Sequence, residues 1–100
     1  MSFAITELNV IRWGEARGII HNGKPLGQVV KLFEESTELL DAINKKNIDD
    51  IKDAVGDIMV VLTMLCGILD LDLTECYESA YQEIKDRKGH LTKEGIFVKQ

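Results

Sequence analysis

Apolar residues along this chain return every three or four positions, and nowhere do they alternate strictly for long enough to mark a half-buried strand. The spacing predicts four helices. The first runs from about Thr6 to Ile20 with Leu8, Ile11 and Trp13 turned inward, and the HNGK turn at His21 to Lys24 follows it. Pro25 then fits the first turn of a second helix, where a missing N–H leaves no bond unmade. That helix continues to about Asn44, with Leu26, Val29, Val30, Phe33, Leu40 and Ile43 as its apolar stripe.

The NKKN stretch at Asn44 to Asn47 interrupts the pattern, and Asn47 or Asp49 is suited to cap a third helix that reaches about Leu69. Within it, IMVVLTMLCGIL from Ile58 to Leu69 is apolar on nearly every side, yet shorter than the roughly 20 residues a membrane span needs. Burial on several sides is expected there. Asp72 followed by Glu75 makes a capping box, with Asp in place of Ser or Thr, that opens a fourth helix expected to end at Gly89. The tail HLTKEGIFVKQ is expected to be a short extended or irregular segment.

The expected architecture is all-α: one domain, residues 1–100, whose short helices form a four-helix-bundle core. Three short helices cannot surround the third on every side, so a second subunit is expected to complete the core, as an obligate homodimer or a homotetramer built as a dimer of dimers.

Composition narrows the function. The formal charge of −5 argues against a general binder of nucleic-acid polymers or of membrane surfaces, because phosphate-rich partners repel an acidic surface. Cys66 and Cys76 are too few for a disulfide framework and lack metal-ligand spacing, so both are expected as buried, reduced thiols. MSFAITELNV lacks the basic start and apolar run of a secretory signal, which makes the cytoplasm the expected location. His21 and His90 are read as loop residues.

The informative chemistry is acidic. Glu35 and Glu38 project from one face of the second helix with Lys31 on the same side, while Glu34 and Asp41 flank that face. Asp50, Asp53 and Asp57 form a stripe on the third helix, and Asp57 directly precedes the most apolar run. A solvated glutamate-rich face explains the first set alone. It does not explain an acid at the edge of the core, where an unpaired carboxylate costs several kcal/mol. The short NKKN connection favours antiparallel packing that brings the two sets together, and facing carboxylates can surround a hard divalent cation such as Mg²⁺ or Mn²⁺. Such an ion usually engages phosphates, and Lys31 with Lys85, Arg87 and Lys88 of IKDRKG are the available phosphate-binding cations. Trp13 and Gln28, the latter one turn before Lys31, are further candidates for ligand contact. No P-loop, no GxSxG and no Glu-x-x-His of a di-iron bundle occurs.

KLFEESTEL followed by DAVGDIMVVL resembles the MazG-like nucleotide pyrophosphohydrolases of the all-α NTP pyrophosphatase superfamily, marked by an EExxE motif and, one helix later, an ExxD motif. AYQEIKDRKGHLTKEGIFVK, from Ala80 to Lys99, is similar to the C-terminal segment of small stand-alone members, many of them carried by phages; for such a member the host cytoplasm is the place of action. The resemblance implies Mg²⁺-dependent cleavage of a (deoxy)nucleoside triphosphate to its monophosphate and pyrophosphate. Carried over by position, Glu35, Glu38 and Asp57 are implied metal ligands, and Glu34, with Glu35 as the alternative, orients or deprotonates the attacking water. The chain departs from the pattern at Ala54, where the first acid of ExxD is expected; Asp53, one position earlier, is the displaced fourth ligand. A catalytically weak or inactive nucleotide-binding or helical interaction module of the same fold is the alternative that Ala54 keeps open, and the related phosphoribosyl-ATP pyrophosphohydrolase is a third reading.

Overall fold

The computed structural model describes residues 1–100, and helices dominate it, as an all-α chain requires. Helix α1 (Phe3–Ala16) is capped by Ser2, whose hydroxyl accepts from the backbone N–H of Ile5. The expected first helix does not run on to Ile20. Gly18, at φ 74°, takes the left-handed conformation open to a residue without Cβ, which breaks the helix and starts a single turn, α2 (Ile19–Asn22). His21 therefore lies in a helical turn rather than a loop.

Helices α3 (Pro25–Asn44) and α4 (Ile48–Ile68) are the second and third helices the spacing predicts, with Pro25 in the first turn of α3. Asn47 is the cap of α4, its side-chain oxygen accepting from Asp50 N–H at 3.1 Å. The chain turns between them through a Schellman arrangement: Lys46 sits at φ 56°, its N–H bonds to Ile43 O, and the Asn47 N–H bonds to Ala42 O. This tight connection makes α3 and α4 an antiparallel hairpin, the most extensive packing in the molecule. Helices α1 and α2 lie against α4. Buried Gly14 lets α1 approach closely, because a Cβ there would collide with the Met64 thioether.

The burial of α3 inverts the expectation. The half-buried or buried positions are Gln28, Val29, Leu32, Glu35, Leu39 and Ala42, whereas Leu26, Val30, Phe33, Leu40 and Ile43 of the predicted stripe are exposed. Positions 28, 32, 35, 39 and 42 alternate steps of four and three, a helix–helix seam that carries an acid at its centre. On α4 the apolar run is buried or half-buried from Ile58 to Ile68, as expected. In α1, Leu8 and Trp13 are largely exposed; Glu7, Val10, Ile11 and Gly14 form the inner side.

Helix α5 (Leu73–Ile84) is capped by Asp72, which accepts from the N–H groups of Thr74 and Glu75. It turns 106° away from α4 and ends at Ile84, before the expected stop at Gly89. The tail forms an antiparallel hairpin of β1 (Gly89–Leu91) and β2 (Phe97–Lys99), with His90 paired to Val98, so His90 lies in a strand. Cys66 is buried, but Cys76 on α5 is exposed, against expectation. No single helix is long and apolar enough to cross a membrane. The radius of gyration, 15.7 Å, exceeds the roughly 13 Å of a compact 100-residue domain because α5 and the hairpin project as an arm.

Candidate metal centre

The hairpin turn at Lys45–Asn47 fixes the register of α3 against α4, and Glu35 comes to lie opposite Asp57. Carboxylate oxygens of Glu35, Glu38 and Asp57 all fall within 4.8 Å of one another. Counting equal steps from the turn sets Glu38 opposite Ala54, which is 3% exposed and offers no oxygen. The cluster therefore has three acids; exposed Asp53, on the neighbouring position of α4, is not among them, and neither is Glu34.

Burial falls on a different acid from the one the sequence singles out. Asp57 is exposed, while Glu35 is 6% exposed within the α3–α4 seam. Lys31 Nζ lies 3.4 Å from one Glu35 oxygen and 3.5 Å from Glu34. The other Glu35 oxygen, Oε2, is buried without a hydrogen-bond partner, a costly state for a carboxylate. Lys31 responds to this surplus of negative charge: its hydrogen bond to Glu35, then the charges of Glu35 and Glu34, hold its pKa above the usual lysine range.

Glu38 shifts in the same direction, toward its protonated form. A hydrogen bond to Glu35, the charge of Glu35 and lost hydration raise its carboxyl above the usual carboxylate range; Asp57 adds to the shift and Lys31 opposes it. Glu35 Oε2 has no donor within hydrogen-bond distance, and crowding of the two carboxyls favours the protonated form of Glu38 relative to an isolated glutamate. An orphaned buried oxygen, a neighbouring carboxyl crowded by its charge and a third acid within reach together form a donor set that suits a hard divalent cation.

A cavity of about 440 Å³ adjoins this centre, lined by Thr6, Asn9, Val10 and Trp13 of α1 with Asp57 and Val60 of α4. Trp13 and an acid of the cluster thus face one space. Arg17, one turn after Trp13, places its guanidinium 4.7 Å from the indole centroid and donates to Trp13 O, which steadies the ring from one side. Sequence spacing did not single out Asn9, Thr6 or Arg17; the i, i+4 relation of Trp13 to Arg17 was the available signal. Gln28 is half-buried in the seam one turn before Lys31. Lys85, Arg87 and Lys88 lie outside this region, beyond the far end of α5.

A sequence model of the MazG nucleotide pyrophosphohydrolase domain matches residues 25–92, which takes in α3, α4, α5 and β1. The chain belongs to the MazG nucleotide pyrophosphohydrolase family. The match includes every acid of the cluster and all of IKDRKG but leaves out α1, so the Trp13 cavity lies partly outside the MazG segment. The chain is also 39% identical, over 57 residues, to an uncharacterized 18.2 kDa protein in the rep-hol intergenic region of Haemophilus phage HP1. That stretch is 57% of this chain and 35% of the phage protein, so the chain spans about a third of the length of the curated relative it matches. No solved structure matches.

Proposed function

We propose that this MazG protein, residues 1–100 acting as one domain in the cytoplasm, hydrolyses a nucleoside or deoxynucleoside triphosphate to the monophosphate and pyrophosphate, with Mg²⁺ or Mn²⁺ as cofactor. The observation that carries the reading is buried Glu35 with its unpartnered oxygen beside Glu38 and Asp57, inside the MazG segment.

Glu35, Glu38 and Asp57 would hold the ion, with Asp53 as an outer acid able to act through water. When bound, the ion draws charge from phosphate oxygens and makes a nearby water more acidic. Glu35 stays fixed by the seam and by Lys31, so its orientation is set before substrate arrives. Glu34 is exposed one position away and paired with Lys31, free to orient a water or take its proton; Glu35 is the alternative for that step. Lys31 balances the excess acid charge and, like Lys85, Arg87 and Lys88, binds phosphate. Trp13, held by Arg17, stacks on the base within the α1–α4 cavity, and Gln28 contacts the nucleotide.

The test is pyrophosphate release across a panel of NTPs and dNTPs, with Mg²⁺ or Mn²⁺, for the wild type and Glu38→Gln. Metal-dependent release that the variant loses supports the reading. A wild type that binds nucleotide, seen as a raised thermal midpoint with a non-hydrolysable NTP and Mg²⁺, but releases no pyrophosphate favours the inactive binding module, for which buried Ala54 is the specific observation.

A further inference from the structure

Helix α5 is held to its own chain only at its start. Leu73 and Thr74 are half-buried, and every residue from Glu75 to Ile84 is exposed. The corner before it is well bonded. Asp70 takes a left-handed φ of 56°, and the Leu71 N–H bonds to Cys66 O at 2.8 Å, closing a Schellman turn on the end of α4. On the α5 side the Cys76 N–H bonds to Asp72 O in the first helical turn. A cysteine therefore stands on each side of one corner, with its backbone bonded into that corner.

The two side chains face one another across it. Met59, Leu62 and Cys66 follow steps of three and four residues, so they share one face of α4. Cys76 lines a cavity of about 640 Å³ with Met59 and Leu62 of that face and with Leu73 of α5. Cys66 lines a second cavity, of about 240 Å³, with Asp72 and the same Leu73, which lie one turn before Cys76. Burial pushes the Cys66 thiol above the usual cysteine range, and the Cys76 thiol, by its charge and by hydrogen bonding, adds more than Glu7 or Asp72 does. Access differs between the two sulfurs. Cys66 is 9% exposed, whereas Cys76 is open to solvent. An oxidant in water meets Cys76 first, with a buried thiol behind it in the position of a resolving partner.

We propose that Cys66 and Cys76 are a redox modification site, a dithiol that a low-molecular-weight disulfide closes into a covalent bond between α4 and α5. The Cys76 thiolate attacks one sulfur of the oxidant; the oxidant's S–S bond breaks, and one small thiolate leaves and takes up a proton. The Cys66 thiol then gives its proton to water and attacks Cys76 Sγ in the mixed disulfide, expelling the second small thiolate. Two protein thiols are oxidised, and one small disulfide is reduced to two thiols. Both cysteines are free in the structure, which is the open state that a glutathione-reduced compartment maintains. A rise in the oxidised share of that pool closes the pair and fastens the exposed helix to the α3–α4 hairpin. The inference is independent of the pyrophosphohydrolase reading.

The test exposes the folded full chain to oxidised glutathione and reads intact mass after alkylation of the remaining thiols, for the wild type, Cys66→Ala and Cys76→Ser. The wild type is expected to end two hydrogen atoms lighter, with no thiol left to alkylate, no glutathione retained and a monomer band on a non-reducing denaturing gel. Dithiothreitol is expected to reverse the change. Cys66→Ala is expected to stop at one glutathione adduct, and Cys76→Ser to stay unmodified. In the oxidised wild type, amide hydrogen exchange along α5 is expected to slow by about tenfold and to recover on reduction, because an arm tied at its base opens less often. A wild type that keeps a glutathione adduct while Cys66 is still alkylated overturns the proposal, as does a covalent dimer through Cys76 or the survival of both thiols. A closed disulfide with unchanged exchange along α5 overturns the fastening of that helix.

Discussion

Glu35 and Asp57 place carboxylate oxygens within 4.8 Å of each other across the α3–α4 hairpin, Glu35 from a buried position with one oxygen unpartnered. A core that tolerates this arrangement carries a cost that a bound cation would relieve. Replacing Glu35 with Gln removes one charge and supplies an N–H donor to its neighbours. The metal-free variant is expected to melt a few degrees higher than wild type, at about 4–8 °C per kcal/mol for a domain of this size. Mg²⁺ is expected to stabilise wild type and to leave the variant unchanged, with turnover reduced by about 10²-fold or more. Differential scanning fluorimetry with and without Mg²⁺ checks the first part; equal Mg²⁺ shifts in the two proteins would remove Glu35 from the ligand set.

The raised pKa of Glu38 fixes the sign of a pH effect. The folded, metal-free protein holds this proton more tightly than the unfolded chain, so its contribution to stability is fully present below the ordinary glutamate pKa and is lost as pH rises through the raised value. Chelator-treated protein is expected to lose stability across that interval, and Glu38→Gln to lose the dependence. Since the same proton competes with a cation, Mg²⁺ affinity is expected to rise over the same interval. Denaturant melts at several pH values, and a metal titration at each, read both effects.

Trp13 is the one tryptophan of the chain and lines the same cavity as Asp57, so its fluorescence is a probe of that space. Nucleotide binding is expected to quench it, and inorganic pyrophosphate, which has no base, to leave it unchanged. Trp13→Ala is expected to raise KM by about tenfold, the loss of a stacking contact of roughly 1–2 kcal/mol, with Mg²⁺ binding intact. An unchanged KM would move the base to another part of the surface.

Lys46 holds a left-handed conformation that costs a residue bearing a Cβ roughly 1 kcal/mol. Lys46→Gly keeps the Schellman bonds to Ala42 and Ile43 and relieves that strain. Glycine's added freedom in the unfolded chain offsets part of this, so the variant is expected to gain up to about 0.5 kcal/mol in urea unfolding, with unchanged Mg²⁺ response because the register of Glu35 and Asp57 is preserved. Destabilisation would mean that the turn depends on the lysine side chain.

Local chemistry made much of the fold legible. Pro25, Asn47, Asp72 and the NKKN turn mark helix ends through backbone bonds that each residue can or cannot make, and the structure uses all of them. The break at Gly18 was missed because the apolar spacing runs smoothly across it while only the backbone angle changes. In the candidate centre, Glu35, Glu38 and Asp57 stood out by spacing. Spacing points to Asp57 as the acid at the core, whereas Glu35 is the buried one, because the inner seam of α3 runs through Gln28, Leu32, Glu35, Leu39 and Ala42 while Leu26, Val30, Phe33, Leu40 and Ile43 face outward.

The sequence by itself determined helices α3 and α4 and the acidic register between them, since helix period and a three-residue turn dictate which positions of α3 and α4 lie opposite one another. Only the tertiary structure decided which face of α3 packs against α4, that Glu35 rather than Asp57 is buried, and that α1 brings Trp13 beside the acids. Periodicity is a property of one helix and states that a face is apolar. Which neighbour covers that face depends on contacts between segments far apart in the chain, and the close approach of Gly14 to Met64 and the 106° turn before α5 are visible only once those segments are packed.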